Sequence, residues 1–241
     1  IYEIGPQRQI PTRHHLDALV ADRPLAIMAF DYHTMFANTR ALEMAGLLYG
    51  GVCAAGSEIV MGTDGTATGE LRERGAFGPI QALTPTPDPA RKRQLLRQGL
   101  AQAAAYGITS VHNMNGNLDE LTLYADMAAA GELTLRINVP FSVTPATSLE
   151  GLREAIAMRD AFLSHQVRST AVKFFMDGVV ESYTALLLDP YADKPDDCGK
   201  AIFEAEHFTH MVAECDRLGF QVITHAIGDA AIRRTLDGYA A

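Results

Sequence analysis

After residue 85 the chain repeats one pattern four times. A helix-length segment closes, an apolar run of strand length follows, and a polar residue ends the run. The helical stretch at about 89–106 closes on Gly107 before "ITSVHNM" (108–114), and that at about 118–130 closes on Gly131 before "LTLRINVPF" (133–141). A helix at about 148–165 precedes "TAVKFFM" (170–176), and one at about 205–218 closes on Gly219 before "FQVITHA" (220–226). A final helix starts near Gly228-Asp229. Glycine after a helix and before a strand suits the left-handed turn such connections use. Strands alternating with helices imply a parallel sheet. The strand-end polar residues are His112 and Asn113, Ser142 and Thr144, Asp177, and His225. In parallel α/β folds the ligand site lies beyond the carboxyl ends of the strands, so these positions come first. A (β/α)8 barrel takes about 250 residues for eight such units. A chain of 241 residues with four clear units is either an open α/β sheet or part of a barrel.

Residues 1 to about 85 have a different texture, irregular and rich in punctuators. "PTRHHLDALV" (11–20) reads as a short helix, "PLAIMAF" (24–30) as a strand, and "ANTRALEMAGL" (37–47) as a helix capped by Asn38 and ended by Gly46. "SEIVMGTDGTATGEL" (57–71) reads as a strand followed by a turn at Asp64-Gly65. "TPTPDPA" (84–90) is a linker or helix lead-in. Two regions are therefore expected, 1–85 and 86–241.

Composition narrows the function classes. A net charge of −9, from 20 basic and 29 acidic residues, argues against a nucleic-acid surface and an anionic membrane partner. No run reaches the roughly 18 apolar residues of a membrane span. Three cysteines, widely spaced and without a CxxC pair, argue against a disulfide framework or a Cys-type zinc site and fit a reducing compartment. The expected location is cytoplasmic. The chain starts with Ile1 rather than Met, so a missing start with a targeting signal stays open.

Lys173, inside "TAVKFFMDGVVES" (170–182), is the first candidate for chemistry. On a strand it shares one face with Phe175, while Val172, Phe174 and Met176 share the other. With both faces apolar the ammonium is desolvated and its pKa falls. A neutral amine is a nucleophile: it can form a Schiff base, act as a base, or take up carbon dioxide as a carbamate. The competing reading is a lysine that snorkels at a strand end or pairs with Asp177 or Glu181. His225 ends an apolar strand, placed as a neutral metal ligand, an acid/base, or a structural histidine. His112 stands at the same end of another strand with the same options. His33, in "FDYHTMFANTRAL", and Asp31 either bond to turn backbone or face a cavity from a lid. Walker, HExxH and GxSxG motifs are absent.

The ordered set "PTRHHLDALVADRPLAIMAFDYHTMFANTRALEMAGL", "DGTATGEL", "YGITSVHNM", "VKFFMDG", "LLLDPYAD" and "QVITHAIGDAAIRR" resembles amidohydrolase family 3, the N-substituted formamide deformylase-like metal-dependent hydrolases with a TIM-barrel fold. The resemblance runs over nearly the whole chain. It implies a partial (β/α)8 barrel segment, about strands two to five, in residues 86–241. Residues 1–85 would be an inserted α+β subdomain that covers the site mouth. It implies a divalent metal, zinc first, as one or two ions. Lys173, carboxylated by carbon dioxide, would bridge the metals, and His225 would be a ligand. His112, His33 and Asp177 are then expected at the substrate, a small amide- or formamide-type molecule whose C–N bond is cut by metal-activated water. A homodimer is compatible with this.

The chain departs from the family at several points. It has no His-x-His pair; His14-His15 is adjacent and on an expected helix. The second-strand "HD" of many relatives reads His112-Asn113. A further histidine and the catalytic aspartate would lie beyond Ala241. An internal piece of a longer enzyme, inactive by itself, is the resulting expectation. The alternatives are a non-catalytic α/β domain that binds a small molecule, and an inactive remnant.

Overall fold

A computed structural model describes residues 3–54 and 56–241. These sort into two units. One takes the chain up to Pro85 with Asp177–Ile202 and Ala226–Ile232, and the other takes Thr86–Met176, Phe203–His225 and Arg233–Ala241.

The first unit is built on an antiparallel sheet. Its elements are α1 (Arg13–Asp17), β1 (Ala26–Met28), β2 (Thr34–Ala37), α2 (Thr39–Met44), β3 (Glu58–Met61), β4 (Ala67–Arg72) and α3 (Arg74–Gln81). The strands run in the order β1-β2-β4-β3. The irregular texture expected here is corrected to an ordered four-stranded sheet. β2 escapes a period-2 reading because all four of its residues are buried. α3 carries Pro79 in its interior, which masks it as a helix. Helices and sheet close over Met35, Leu42, Leu71, Phe77 and Ile80. Asn38 does cap α2, accepting from the Ala41 amide at 2.9 Å. It also accepts from the Leu25 amide and donates to the Val20 and Arg23 carbonyls, so this buried amide is fully satisfied.

In the second unit, helices alternate with parallel strands. α4 (Pro89–Ala105), capped by Asp88 with Pro89 at its first position, leads to β5 (Ser110–His112). Then come α5 (Leu118–Ala129), β6 (Arg136–Asn138), β7 (Phe141–Ser142), α6 (Leu152–Ala161), β8 (Val167–Arg168), β9 (Ala171–Phe175), α7 (Ala205–Arg217) and β10 (Gln221–His225). α8 (Asp229–Ala240) follows. α6 is shorter than expected and His165 lies beyond it, because the chain turns there into the short strand β8. Gly107, Gly131 and Gly219 adopt the left-handed backbone their positions demand, with φ of 70°, 71° and 78°.

Every strand pair in this unit is parallel. β5 pairs with β6, β7 pairs with β9, and β9 pairs with β10. The single expected strand over 133–141 becomes β6 and β7, which belong to different three-stranded sheets. Pro140 separates them and has no N–H to continue a ladder. One sheet face packs on helices: Val111, Ile137, Val139 and Val167 meet Leu100, Leu121, Tyr124 and Met127. On β9 and the residue after it, Val172, Phe174 and Met176 alternate on one side, all fully buried. Phe174 packs edge-on against Phe203 and Phe208. Burying each such side chain contributes about 1.5–3 kcal/mol.

Candidate metal centre

The other face of the same strands carries the chemistry. Lys173 projects from β9, one residue off the apolar row. In the parallel register Lys173 sits opposite Ile223, and Phe175 opposite His225. Partners in register point to the same side, so Lys173, Phe175, Ile223 and His225 share one face. The Lys173 Nζ lies 4.1 Å from the centre of the Phe175 ring. That ring in turn sits 5.3 Å, centroid to centroid, from the His225 imidazole. Phe175 thus touches both groups and holds an ammonium-bearing stem against an aromatic face.

Lys173 is only 6 % exposed. Burial pushes its amine down to about 8, and no neighbouring charge contributes to that shift. The snorkelling lysine and the lysine paired with Asp177 or Glu181 both fail to describe it. A desolvated amine near neutrality is what carbon dioxide needs to form a carbamate, so the donor chemistry at Lys173 fits a metal-bridging group. His225 adds an imidazole on the same face. Among the described residues no three His, Cys, Asp or Glu side chains converge on one point where they could hold an ion. The fit therefore rests on Lys173 and His225.

His112 ends β5 in register with Asn138 of β6 and is exposed. It is on the face that also carries Ser110 and Arg136, opposite the helix-packed Val111 and Ile137.

Asp177 occupies a place the sequence did not suggest. It is 1 % exposed, and its carboxylate accepts three backbone amides. The Leu186 amide reaches Oδ2 at 2.9 Å, Gly228 reaches Oδ2 at 2.8 Å, and Ile227 reaches Oδ1 at 2.9 Å. Its oxygens tie the loop after β9 to the loop after β10. Asp229 is the first residue of α8, and its Oδ1 takes the Leu188 amide at 2.9 Å.

His33 lies in the turn between β1 and β2. Its own amide donates to Asp31 Oδ1 at 3.1 Å, so the turn bond considered from sequence is present. Its ring does more: Nδ1 lies 2.9 Å from Glu73 Oε2. Glu73 and its second partner, Thr184 at 2.7 Å, were missed in the sequence. The available signal was an acidic residue in "GELRERG", placed just before a helix.

Comparison with known proteins gives the family. The sequence profile of the amidohydrolase family covers residues 6–241. The chain is 27% identical to Protein LONG AFTER FAR-RED 3 of Arabidopsis thaliana, over 96% of this chain and 41% of that protein. It is 26% identical to N-substituted formamide deformylase of Arthrobacter pascens, over 98% of this chain and 44% of the relative. An uncharacterized metal-dependent hydrolase from Pyrococcus horikoshii OT3 superposes with a TM-score of 0.65 at 25% identity, over 99% of this chain and 46% of the other. The chain thus spans less than half the length of these relatives. From residue 6 to its last residue, it belongs to the amidohydrolase family.

Proposed function

We propose that this chain is part of a metal-dependent hydrolase that cuts a C–N bond of an amide or formamide. Its second unit supplies about strands two to five of a (β/α)8 barrel, and residues 1–85 form an inserted subdomain. The strand order supports the barrel reading. β5, β6 and β8 in one sheet, and β7, β9 and β10 in the other, lie side by side in sequence order with parallel pairing, without the reversal of a doubly wound sheet. The observation that carries the reading is Lys173, buried on a strand face it shares with His225.

The Lys173 amine would add carbon dioxide: its nitrogen bonds to the carbon, one proton leaves to solvent, and an anionic carbamate results. The carbamate oxygens and a ring nitrogen of His225 would hold a divalent metal, zinc by preference of the imidazole. Bound there, such an ion would supply Lewis acidity toward water and the scissile carbonyl. The Phe175 ring packs against both the Lys173 amine and the His225 imidazole and so supports the two donors. Asp177 fixes the backbone that follows both strands. The relative's name, N-substituted formamide deformylase, points to a formamide as the first substrate to try.

The test uses the natural protein that carries this chain. Metal content is measured with turnover of N-substituted formamides and simple amides, for wild type and Lys173→Ala. Carbon-13 bicarbonate should label a carbamate in the wild type alone. Loss of metal and turnover in the variant supports the reading, and unchanged metal and turnover would sink it.

A further inference from the structure

Parallel strands are normally apolar on both faces, because both faces are covered. The sheet of β5, β6 and β8 breaks that rule on one side. Val111, Ile137 and Val167 pack on the helices. On the other face, Ser110 lies in register with Arg136, and His112, Asn138 and Arg168 form one row across the three strands. Register partners point to the same side, so these five residues share the face away from the helices. Ser110, His112, Arg136 and Arg168 are exposed there.

The face is rich in donors that neutral groups hold in place. Arg136 Nε donates to Ser110 Oγ at 2.8 Å, and one of its terminal nitrogens donates to Thr109 Oγ1 at 3.1 Å. Arg168 Nε donates to the Ser164 carbonyl at 3.0 Å. Hydroxyls and a carbonyl orient a guanidinium without cancelling its charge. In the same unit Arg93 and Arg97 share the Glu132 carboxylate, whereas among the described residues no carboxylate stands within ion-pair distance of Arg136 or Arg168. Asn138 Oδ1 accepts the Thr170 amide at 3.1 Å, which leaves the side-chain NH2 of Asn138 as a further donor. Two residues span about 6.6 Å along a strand and neighbouring strands lie about 4.8 Å apart, so the Cα atoms of Arg136 and Arg168 stand roughly 8 Å from each other. Long side chains bridge such a diagonal, and two like charges on it repel unless something neutralises them.

We propose that Arg136 and Arg168, with the Asn138 amide between them, bind a small oxyanion, a carboxylate or a phosphate, on this sheet face. Forked guanidinium donors match the paired oxygens of either group. The chain carries a net charge of −9, so two arginines without a counter-charge mark a local site for an anion rather than a generally basic surface. His112 borders the site from the row of Asn138 and Arg168. Lys173 and His225 take no part in it, so the site goes beyond the hydrolase reading and does not depend on it.

The test is isothermal titration of the natural protein that carries this chain with sodium phosphate and, separately, sodium formate, at constant ionic strength set by sodium chloride. The wild type should bind at least one of them saturably, phosphate ahead where the site takes a tetrahedral ion and formate ahead where it takes a planar one. Arg136→Gln and Arg168→Gln should each weaken that binding about tenfold or more, the loss of one charged hydrogen-bonded contact. Arg136→Lys and Arg168→Lys keep the charge but not the fork, and should weaken it severalfold; they decide the matter where a Gln variant does not fold. Arg153→Gln removes an exposed arginine paired with Glu150 and should leave binding unchanged. A wild type that binds neither ion above the chloride background would overturn the site, as it would if an acidic side chain from elsewhere in the natural protein occupies the arginines. Binding that all four variants share with the wild type would place the anion elsewhere, at a metal for instance, and would overturn it equally. Turnover is not read, so a failure of the hydrolase reading leaves this outcome untouched.

Discussion

A lone amine inside an apolar sheet is a cost that folding must offset. Lys173 lies 6 % exposed, with its Nζ over Phe175 and its pKa pushed down by burial alone. Methionine has a similar length and no polar group to desolvate. Lys173→Met should therefore stabilise the metal-free protein by about 1–3 kcal/mol, seen as a higher urea midpoint. The same variant should lose carbamate labelling and metal, a stability gain tied to lost function. A lower midpoint would mean that the amine has a partner whose bond outweighs its burial. Lys173 was legible in the sequence because a lysine in an apolar run breaks the pattern it sits in. Glu73 was not, because an acidic residue beside arginines looks like solvated charge. Its partners stand 40 and 111 residues away, a proximity only the fold creates.

At the scale of elements, two carboxylates each fasten separate pieces of chain. Asp177 holds the loops after β9 and β10 through three backbone amides. Asp177→Asn keeps the volume but turns an NH2 toward amide donors. Charged hydrogen bonds are worth about 1.5–3 kcal/mol each, so the variant should lose roughly 2–4 kcal/mol in urea unfolding. A loss under about 0.5 kcal/mol, the size of a surface change, would remove the clamp. Gly228→Ala attacks the same junction by sterics, since its Cβ would stand 1.9 Å from the Leu186 carbonyl oxygen. Glu73 ties the β1–β2 turn to α3 and to the loop holding Thr184, and here pH is the lever. The His33 pKa is raised from 6.5, first by the hydrogen bond to Glu73. A raised histidine stabilises the fold fully below the unfolded value and ceases to do so as pH rises through the folded value. The wild type should thus lose stability relative to Glu73→Gln as pH rises from the unfolded value of about 6.5 through the raised folded value, measured by urea unfolding across a pH series. Parallel curves for the two proteins would contradict the pairing. The sequence revealed the histidine in its turn. It did not reveal β2 and α3 on either side of the network, because a fully buried strand and a proline-bearing helix lack the usual periods.

For the molecule as a whole, legibility followed regularity. The four helix–strand units after residue 85 announced themselves through closing glycines and apolar runs. The antiparallel sheet did not, since its strands are short and the pairing of β2 with β4, Thr34 opposite Arg72, joins segments distant in sequence. Function follows the same division: the parallel strands bring Lys173 and His225 to one face, yet a zinc site takes three or four protein ligands. Two donors leave an ion mostly to water and bind it weakly. The natural protein should therefore carry one or two ions per chain, and chelation should lower its melting temperature by linkage. The 241 residues expressed alone should bind zinc weakly and turn over no formamide. The two preparations are compared by metal analysis after dialysis and by turnover. Stoichiometric, dialysis-resistant zinc with turnover in the 241-residue chain would mean that its own side chains complete the site, and would displace the two-donor account.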